Sequence, residues 1–316
     1  MAEIILGLGT PHSPQLSIPA DRWALLVEKD QKDTRIDYAR LVKVAKPGIE
    51  QELSQQKMQA RYDAMQTNLD AACKTLAQAS PDVLVVIGDD QHEQFLDDNM
   101  PMFSVFRGAS LKMVKRAHPQ AWRKAEEEEA PDERKQFPAH PELAEHVISS
   151  LVQQGFDIAC SNQLREEIGL GHAFSFIYRR LLPGGQTPMV PVTLNTIYPP
   201  NQPTPRRCYG FGQALRNSIE SWQSNAKVAV ITTGGLSHVV IDEELDRMTL
   251  DGLMRKDAEQ LCRLPADKLR LGTSEIRNWI TLGGMMERLP MKLIEYIPAY
   301  RSPAGTGCGM AFAQWG

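Results

Sequence analysis

The hydrophobic positions fall into two kinds of run. Four short, near-continuous apolar segments, IILGLG (4–9), VLVVIG (83–88), MVPVTL (189–194) and VAVITTGG (228–235), each end in polar or glycine-rich sequence. Unbroken rather than alternating hydrophobicity predicts strands covered on both faces. Helical patterns lie between them. Met58, Tyr62, Met65, Leu69, Ala72 and Leu76 recur every three or four residues and predict one long amphipathic helix. Leu143, Val147, Ile148 and Leu151 predict a second helix after Pro141, with Gly155 as its terminator. A third is expected over residues 207–221. Strands alternating with helices indicate an α/β fold: one three-layer domain over 1–316, with a central, largely parallel or mixed sheet flanked by helices.

Two stretches break the rhythm. Residues 99–140 hold the acidic run AEEEEAPDERK beside the apolar MPMFSVF and read as a surface excursion. Residues 183–206 are rich in proline and link a strand to the next helix. Neither an internal repeat nor a linker between domains is evident. With 42% apolar residues in 316, the chain can bury a large core without disulfides. Its formal net charge of −4 gives no electrostatic reason to expect nucleic acid or an anionic membrane as partner. No apolar run has the length of a membrane-crossing helix. The opening MAEIILGLGTPHSP carries Glu3 and no basic segment, so it reads as a first strand rather than a signal peptide. Five dispersed cysteines without a CxxC pair indicate neither a disulfide framework nor a zinc ribbon, and a cytoplasmic location is expected.

Candidate chemistry concentrates in the histidines. His12 follows the first apolar run in GTPHSP, His92 the second in IGDDQHEQF, and His238 another in TTGGLSH. Three histidines thus lie just beyond the C-terminal ends of three expected strands, the edge where open parallel sheets form their ligand crevice. The remaining four are His172, in GLGHAF, and His118, His140 and His146. Any one histidine after a strand reads most simply as a hydrogen-bonded loop residue; the three together point to a site. No HExxH, HxH or GxSxG is present, and the glycines of GTGCGMAF lack the Lys-Ser/Thr of a phosphate loop. Two histidines and a carboxylate suit mononuclear iron. Glu275 is one candidate carboxylate, since Thr273 or Ser274 can cap a helix that it opens, although an acid there also simply complements the helix dipole.

Longer segments carry a resemblance. The first-strand HSP, PDVLVVIGDDQHEQF, AHPELAEHVISSLVQQGFD, GHAFSF, LNTIYPPNQPTPRRCYGFGQAL, TTGGLSH and TSEIRNW resemble, in order, the class III extradiol ring-cleavage dioxygenases, the family of the protocatechuate 4,5-dioxygenase β subunit and gallate dioxygenase. The resemblance implies Fe(II) as cofactor, with His12 and Glu275 as ligands. It implies that His238 is the acid–base histidine and that His172 contacts the substrate. Thr10, Ser13, Arg206 and Arg207 would border the pocket. One departure bears on the iron. In the family a second histidine ligand directly follows Asn-Asp or Asp-Asp, whereas here Asp89-Asp90 is followed by Gln91, and His92 comes one place later. Adjacent side chains on an extended segment point to opposite sides, so His92 needs a bulge to turn inward. Otherwise Gln91 offers a weaker amide oxygen.

The implied activity is insertion of dioxygen into a catechol-like or related dihydroxylated aromatic, heterocycles included, with ring opening. The implied partners are that substrate, dioxygen and further copies of the chain in a homo-oligomer. Arg206, Arg207 or Arg277 can meet a substrate carboxylate. The rival readings are a binding or signalling protein of the same fold with a degenerate metal site, and a metal-dependent hydrolase.

Overall fold

The computed structural model describes residues 1–114, 120–128 and 135–316. His118 and residues 129–134 of the acidic run lie outside the described residues. The four apolar runs form strands β1 (Glu3–Thr10), β2 (Val83–Asp89), β7 (Met189–Leu194) and β8 (Lys227–Thr233). The others are β3 (Phe103–Phe106), β4 (Ser110–Lys112), β5 (Gln136–Pro138), β6 (Ala159–Ser161), β9 (His238–Val240), β10 (Met291–Tyr300) and β11 (Thr306–Trp315). The main sheet runs β10-β11-β1-β8-β2-β7-β3-β6, with β9 paired to β11. Its centre, β1-β8-β2-β7, is parallel, and both flanks join it antiparallel, through β11 and β3. The sheet is therefore mixed, as expected.

Alternation along β2 separates the layers. Val83, Val85 and Ile87 enter one apolar core, with the helices Pro141–Gln153, Pro205–Glu220, Glu243–Arg255 and Ile276–Met286. Leu84 and Val86 enter a second core, with the helix Gln55–Ala79. That helix is the long one read from its stripe, of which Met65, Leu69 and Leu76 are buried. The Ser54 side chain caps its start, accepting from the Lys57 amide. The second expected helix ends as read: Gly155, at φ +81°, follows its last turn.

Two helices meet backbone to backbone. A Cβ at Gly212 would strike the Thr281 carbonyl, and one at Gly284 the Tyr209 carbonyl. This close approach presses Ile276–Met286 onto Pro205–Glu220 and fixes the helix that Glu275 opens.

One element differs from the sequence reading, and a second segment is defined by the structure alone. The stretch 99–140 is not wholly superficial: β3 lies within the main sheet with Phe103 and Val105 buried, and β4 and β5 pair as a separate ribbon. Four residues are too short for a period to stand out. GTGCGMAF is strand β11, whose glycines admit neighbouring groups. A Cβ at Gly309 would overlap the Asp246 carboxylate.

Candidate metal centre

The C-terminal ends of the central parallel strands converge on one group of side chains. His12 stands two residues beyond β1, and Asp89 is the last residue of β2. After β8 the chain turns through Gly234 (φ +131°) and Gly235 and reaches His238 at the start of β9. The turn is tied down on both sides: Gly234 N donates to the Thr10 carbonyl, and Trp279 Nε1 donates to the Gly234 carbonyl at 2.8 Å. Glu275 closes the tight turn Leu271–Glu275 and opens the helix Ile276–Met286. His172 begins the short helix His172–Phe176.

Glu275 and Asp89 are 1% and 0% exposed, so both carboxylates have left bulk water. Glu275 Oε2 lies 3.4 Å from His12 Nε2 and accepts from Gly235 N at 2.9 Å. Its Oε1 lies 3.1 Å from His238 Nε2, while His238 Nδ1 faces the Leu236 carbonyl at 3.0 Å. Asp89 Oδ1 is 3.8 Å from His12 Nε2, and Oδ2 is 3.7 Å from His172 Nε2. The other nitrogen of His172, Nδ1, meets Glu93 Oε2 at 2.8 Å, and Glu93 also accepts from the His172 amide. Gln91 Nε2 lies 3.5 Å from both Asp89 Oδ2 and Glu275 Oε1, on the open side of the pair.

These contacts shift the ionisation of the buried groups. Burial and then the Glu275 charge push Asp89 up to about 6, against His172 and His12. Burial also works against ionised Glu275, but His238 and His12 outweigh it and hold Glu275 well below the usual range. For His172, desolvation lowers the pKa, yet Glu93 and then Asp89 raise it to about 10. His238 is raised well above the ordinary histidine value, desolvation being outweighed chiefly by Glu275.

The donor set fits a divalent cation. His12 Nδ1 and His172 Nε2 are buried without a hydrogen-bond partner. The ligand atoms of His12, Asp89 and His172 all lie within 4.8 Å of one another. Donors bound at ~2.1 Å and set 90–120° apart are ~3.0–3.6 Å from each other. The separation of His12 Nε2 from Glu275 Oε2 falls in that range, and its separation from Asp89 Oδ1 just above it.

Of the residues singled out from sequence, His12, Glu275, His238, His172 and Gln91 come together. His92 does not. Its backbone is left-handed (φ +57°), its ring stacks on Tyr198 at 3.8 Å, and its Nε2 pairs with Asp97 at 3.1 Å. Thr10 is buried, donating to the Pro11 carbonyl, and Ser13 caps the turn Pro14–Leu16. Arg206 pairs with Glu259, and Arg207 lies over the Phe156 ring at 4.0 Å. Neither arginine's described partner belongs to the centre. Buried Arg277 donates to the carbonyls of Pro203, Thr196 and Leu269, which leaves its guanidinium engaged by the backbone.

The family model of the catalytic LigB subunit of aromatic ring-opening dioxygenase matches residues 48–310. The chain belongs to this family. The match takes in every residue of the centre except His12. Among curated LigB-like relatives, gallate dioxygenase of Pseudomonas putida is 35% identical over 149 residues, 46% of this chain and 41% of the relative. The 2,3-dihydroxyphenylpropionate/2,3-dihydroxicinnamic acid 1,2-dioxygenase of Paraburkholderia xenovorans is 29% identical over 168 residues, 53% and 46%. That of Rhodococcus globerulus is 28% identical over 179 residues, 54% and 50%. The chain thus spans half or less of the length of these relatives.

In this LigB-family chain, sequence reasoning missed three residues of the centre: Asp89, Glu93 and Asn278. Asn278 Nδ2 donates to the Thr233 carbonyl at 3.1 Å and reaches Asp89 Oδ1 at 3.4 Å. The available signal was position, since Asp89 ends an apolar strand at the crevice edge and Asn278 lies one helical turn from Glu275. No helix of the described residues is long and apolar enough to cross a membrane.

Proposed function

We propose that the chain is an extradiol ring-cleavage dioxygenase that uses a divalent metal, Fe(II) in the first instance, to open a dihydroxylated aromatic ring. The observation that carries the reading is Glu275: one oxygen faces His12 and the other His238, at the crevice edge of a parallel sheet. His12 and Glu275 would hold the ion, with Gln91 on its open side. When bound, the ion supplies a positive site for two adjacent ring oxygens and a route for electrons from the ring to dioxygen.

The chain's own groups handle protons. His238 Nε2 rests on Glu275 at 3.1 Å, which orients the imidazole at the crevice edge. From that nitrogen it would accept a proton from a ring hydroxyl and return it to the departing oxygen. His172 is fixed through Nδ1 by Glu93, which turns Nε2 toward the pocket. Thr10 and Trp279, behind the centre, are buried and would help to keep water from a bound ring. In balance, one dihydroxylated ring and one dioxygen give one open-chain product containing both oxygen atoms.

The names of the relatives suggest a ring bearing an acidic substituent. The engagements of Arg206, Arg207 and Arg277 argue against those three as its partner. Assembly of copies, implied by the family resemblance, and the cytoplasmic location expected from the cysteines belong to the same proposal.

The test is anaerobic reconstitution with Fe(II), followed by oxygen uptake against acidic and neutral catechols, gallate and dihydroxypyridines. Substrate-dependent uptake matched by ring-opened product supports the reading. Stoichiometric binding of a diol with no uptake on any metal would instead favour the same-fold binding protein, for which Gln91 in a ligand's place is the motive.

A further inference from the structure

Asp89 is the least satisfied charged group in the centre. It has no exposed surface, and the hydrogen bonds it receives are long: 3.4 Å from Asn278 Nδ2 and 3.5 Å from Gln91 Nε2. A buried carboxylate ordinarily finds shorter, charge-assisted partners. Glu275 has them, in Gly235 N and His238 Nε2. Of the imidazoles nearby, His238 is committed to Glu275, while His172 holds Glu93 through Nδ1 and leaves its Nε2, without a hydrogen-bond partner, 3.7 Å from Asp89 Oδ2. Only His12 Nε2 faces both carboxylates, at 3.4 and 3.8 Å. The position that would complete Asp89 is therefore the one bounded by His12 Nε2, Glu275 Oε2 and Asp89 Oδ1.

Resting on the metal-dependent reading above, we propose that Asp89 is itself a ligand beside His12 and Glu275, and that this pair of carboxylates suits the centre to hard divalent ions such as Mn(II). Carboxylate and carbonyl oxygens suit manganese and magnesium, whereas additional imidazoles favour zinc, iron and copper. Gln91 stands beside the same two acids, at the oxygens turned away from His12, Asp89 Oδ2 and Glu275 Oε1. Its amide faces the two acids from the open side, and the end it presents follows the charge it meets. Without an ion it offers its NH2 to the carboxylates; toward a cation it offers oxygen. Two carboxylates also cancel the ion's double charge inside the pocket, which a single carboxylate with two imidazoles does not.

The test reads metal binding by the whole chain after chelation, independent of turnover. Mn(II) is followed by loss of the free-ion paramagnetic resonance signal, and Zn(II) by competition with a chromophoric chelator. Asp89→Asn preserves side-chain size and should weaken Mn(II) binding by about 100-fold. Gln91→His, at an exposed position, adds an imidazole and should raise the preference for Zn(II) over Mn(II) on the order of tenfold. Mn(II) binding by folded Asp89→Asn within about twofold of the parent overturns the proposal. Should that variant not fold by circular dichroism, the Gln91→His ratio decides, and an unchanged ratio overturns it. A parent that turns over while Asp89→Asn binds metal normally refutes this inference alone. A parent that binds Mn(II) through Asp89 but opens no ring on any metal refutes the dioxygenase reading alone.

Discussion

The imidazole of His92 lies flat on the phenol of Tyr198, 3.8 Å between centroids and 8° between planes. That stack decides which of two adjacent side chains faces the carboxylates. With His92 drawn outward at φ +57°, Gln91 falls against Asp89 and Glu275. His92→Asn tolerates the left-handed backbone but loses the stack, so it should cost about 1 kcal/mol in chemical denaturation. Metal stoichiometry and affinity should stay those of the parent. A variant that lost its metal would place His92 among the ligands.

His238 touches Glu275 on the oxygen opposite His12. If it handles protons rather than metal, His238→Ala should lower turnover by about 100-fold or more. Metal content by elemental analysis should remain that of the parent. Loss of the ion would transfer His238 to the ligand set.

The legible and illegible parts of this chain divide along a physical line. Strands β1, β2, β7 and β8 could be read because burial on both faces makes them continuous in sequence. His12 and His238 could be read because they follow such strands. The flanking β10–β11 hairpin and the four-residue β3 carry no such local signature. Asp89 is marked only by its place at the end of an apolar strand, and nothing local singles out Glu93 among 39 acidic residues; their roles exist only once β2 is set beside β8 and His172 is brought to its end. The choice between Gln91 and His92 likewise hangs on Tyr198, a residue from a distant loop.

Asp246 gives a pH-dependent stability. Burial raises its carboxyl to about 6, although Tyr296 OH and the Ser237 hydroxyl and amide donate to it. The folded state thus keeps this proton to a higher pH than the unfolded chain, whose Asp titrates near the ordinary 3.8. The folded form is favoured below the unfolded value, loses that advantage between roughly pH 4 and 6, and carries the full cost above. At neutral pH the cost is on the order of 3 kcal/mol. Asp246→Asn should flatten this component, measured as the difference in unfolding free energy between parent and variant from pH 4 to 7. Parallel curves would refute the assignment.

Arg301 joins the ends of the chain at the root of the centre. Its Nε and Nη2 donate to Asp30 at 2.7 and 2.8 Å, and its Nη1 donates to Gln15 Oε1 at 2.6 Å. Gln15 in turn holds the Ala299 carbonyl through Nε2 and donates its amide to Ser13, beside His12. With side chains only 6% and 3% exposed, the Arg301–Asp30 pair is out of reach of water. Removing one member strands the other charge, so Arg301→Met should cost about 3–5 kcal/mol in urea denaturation. Replacing both charges, Arg301→Met with Asp30→Leu, removes the stranded carboxylate and should recover most of that loss. His12, a ligand in the proposed function, would still lack the brace that runs through Gln15, so the double variant should regain stability without regaining the parent's metal affinity. Recovery of both together would show that the network supports the fold and leaves the His12 turn untouched.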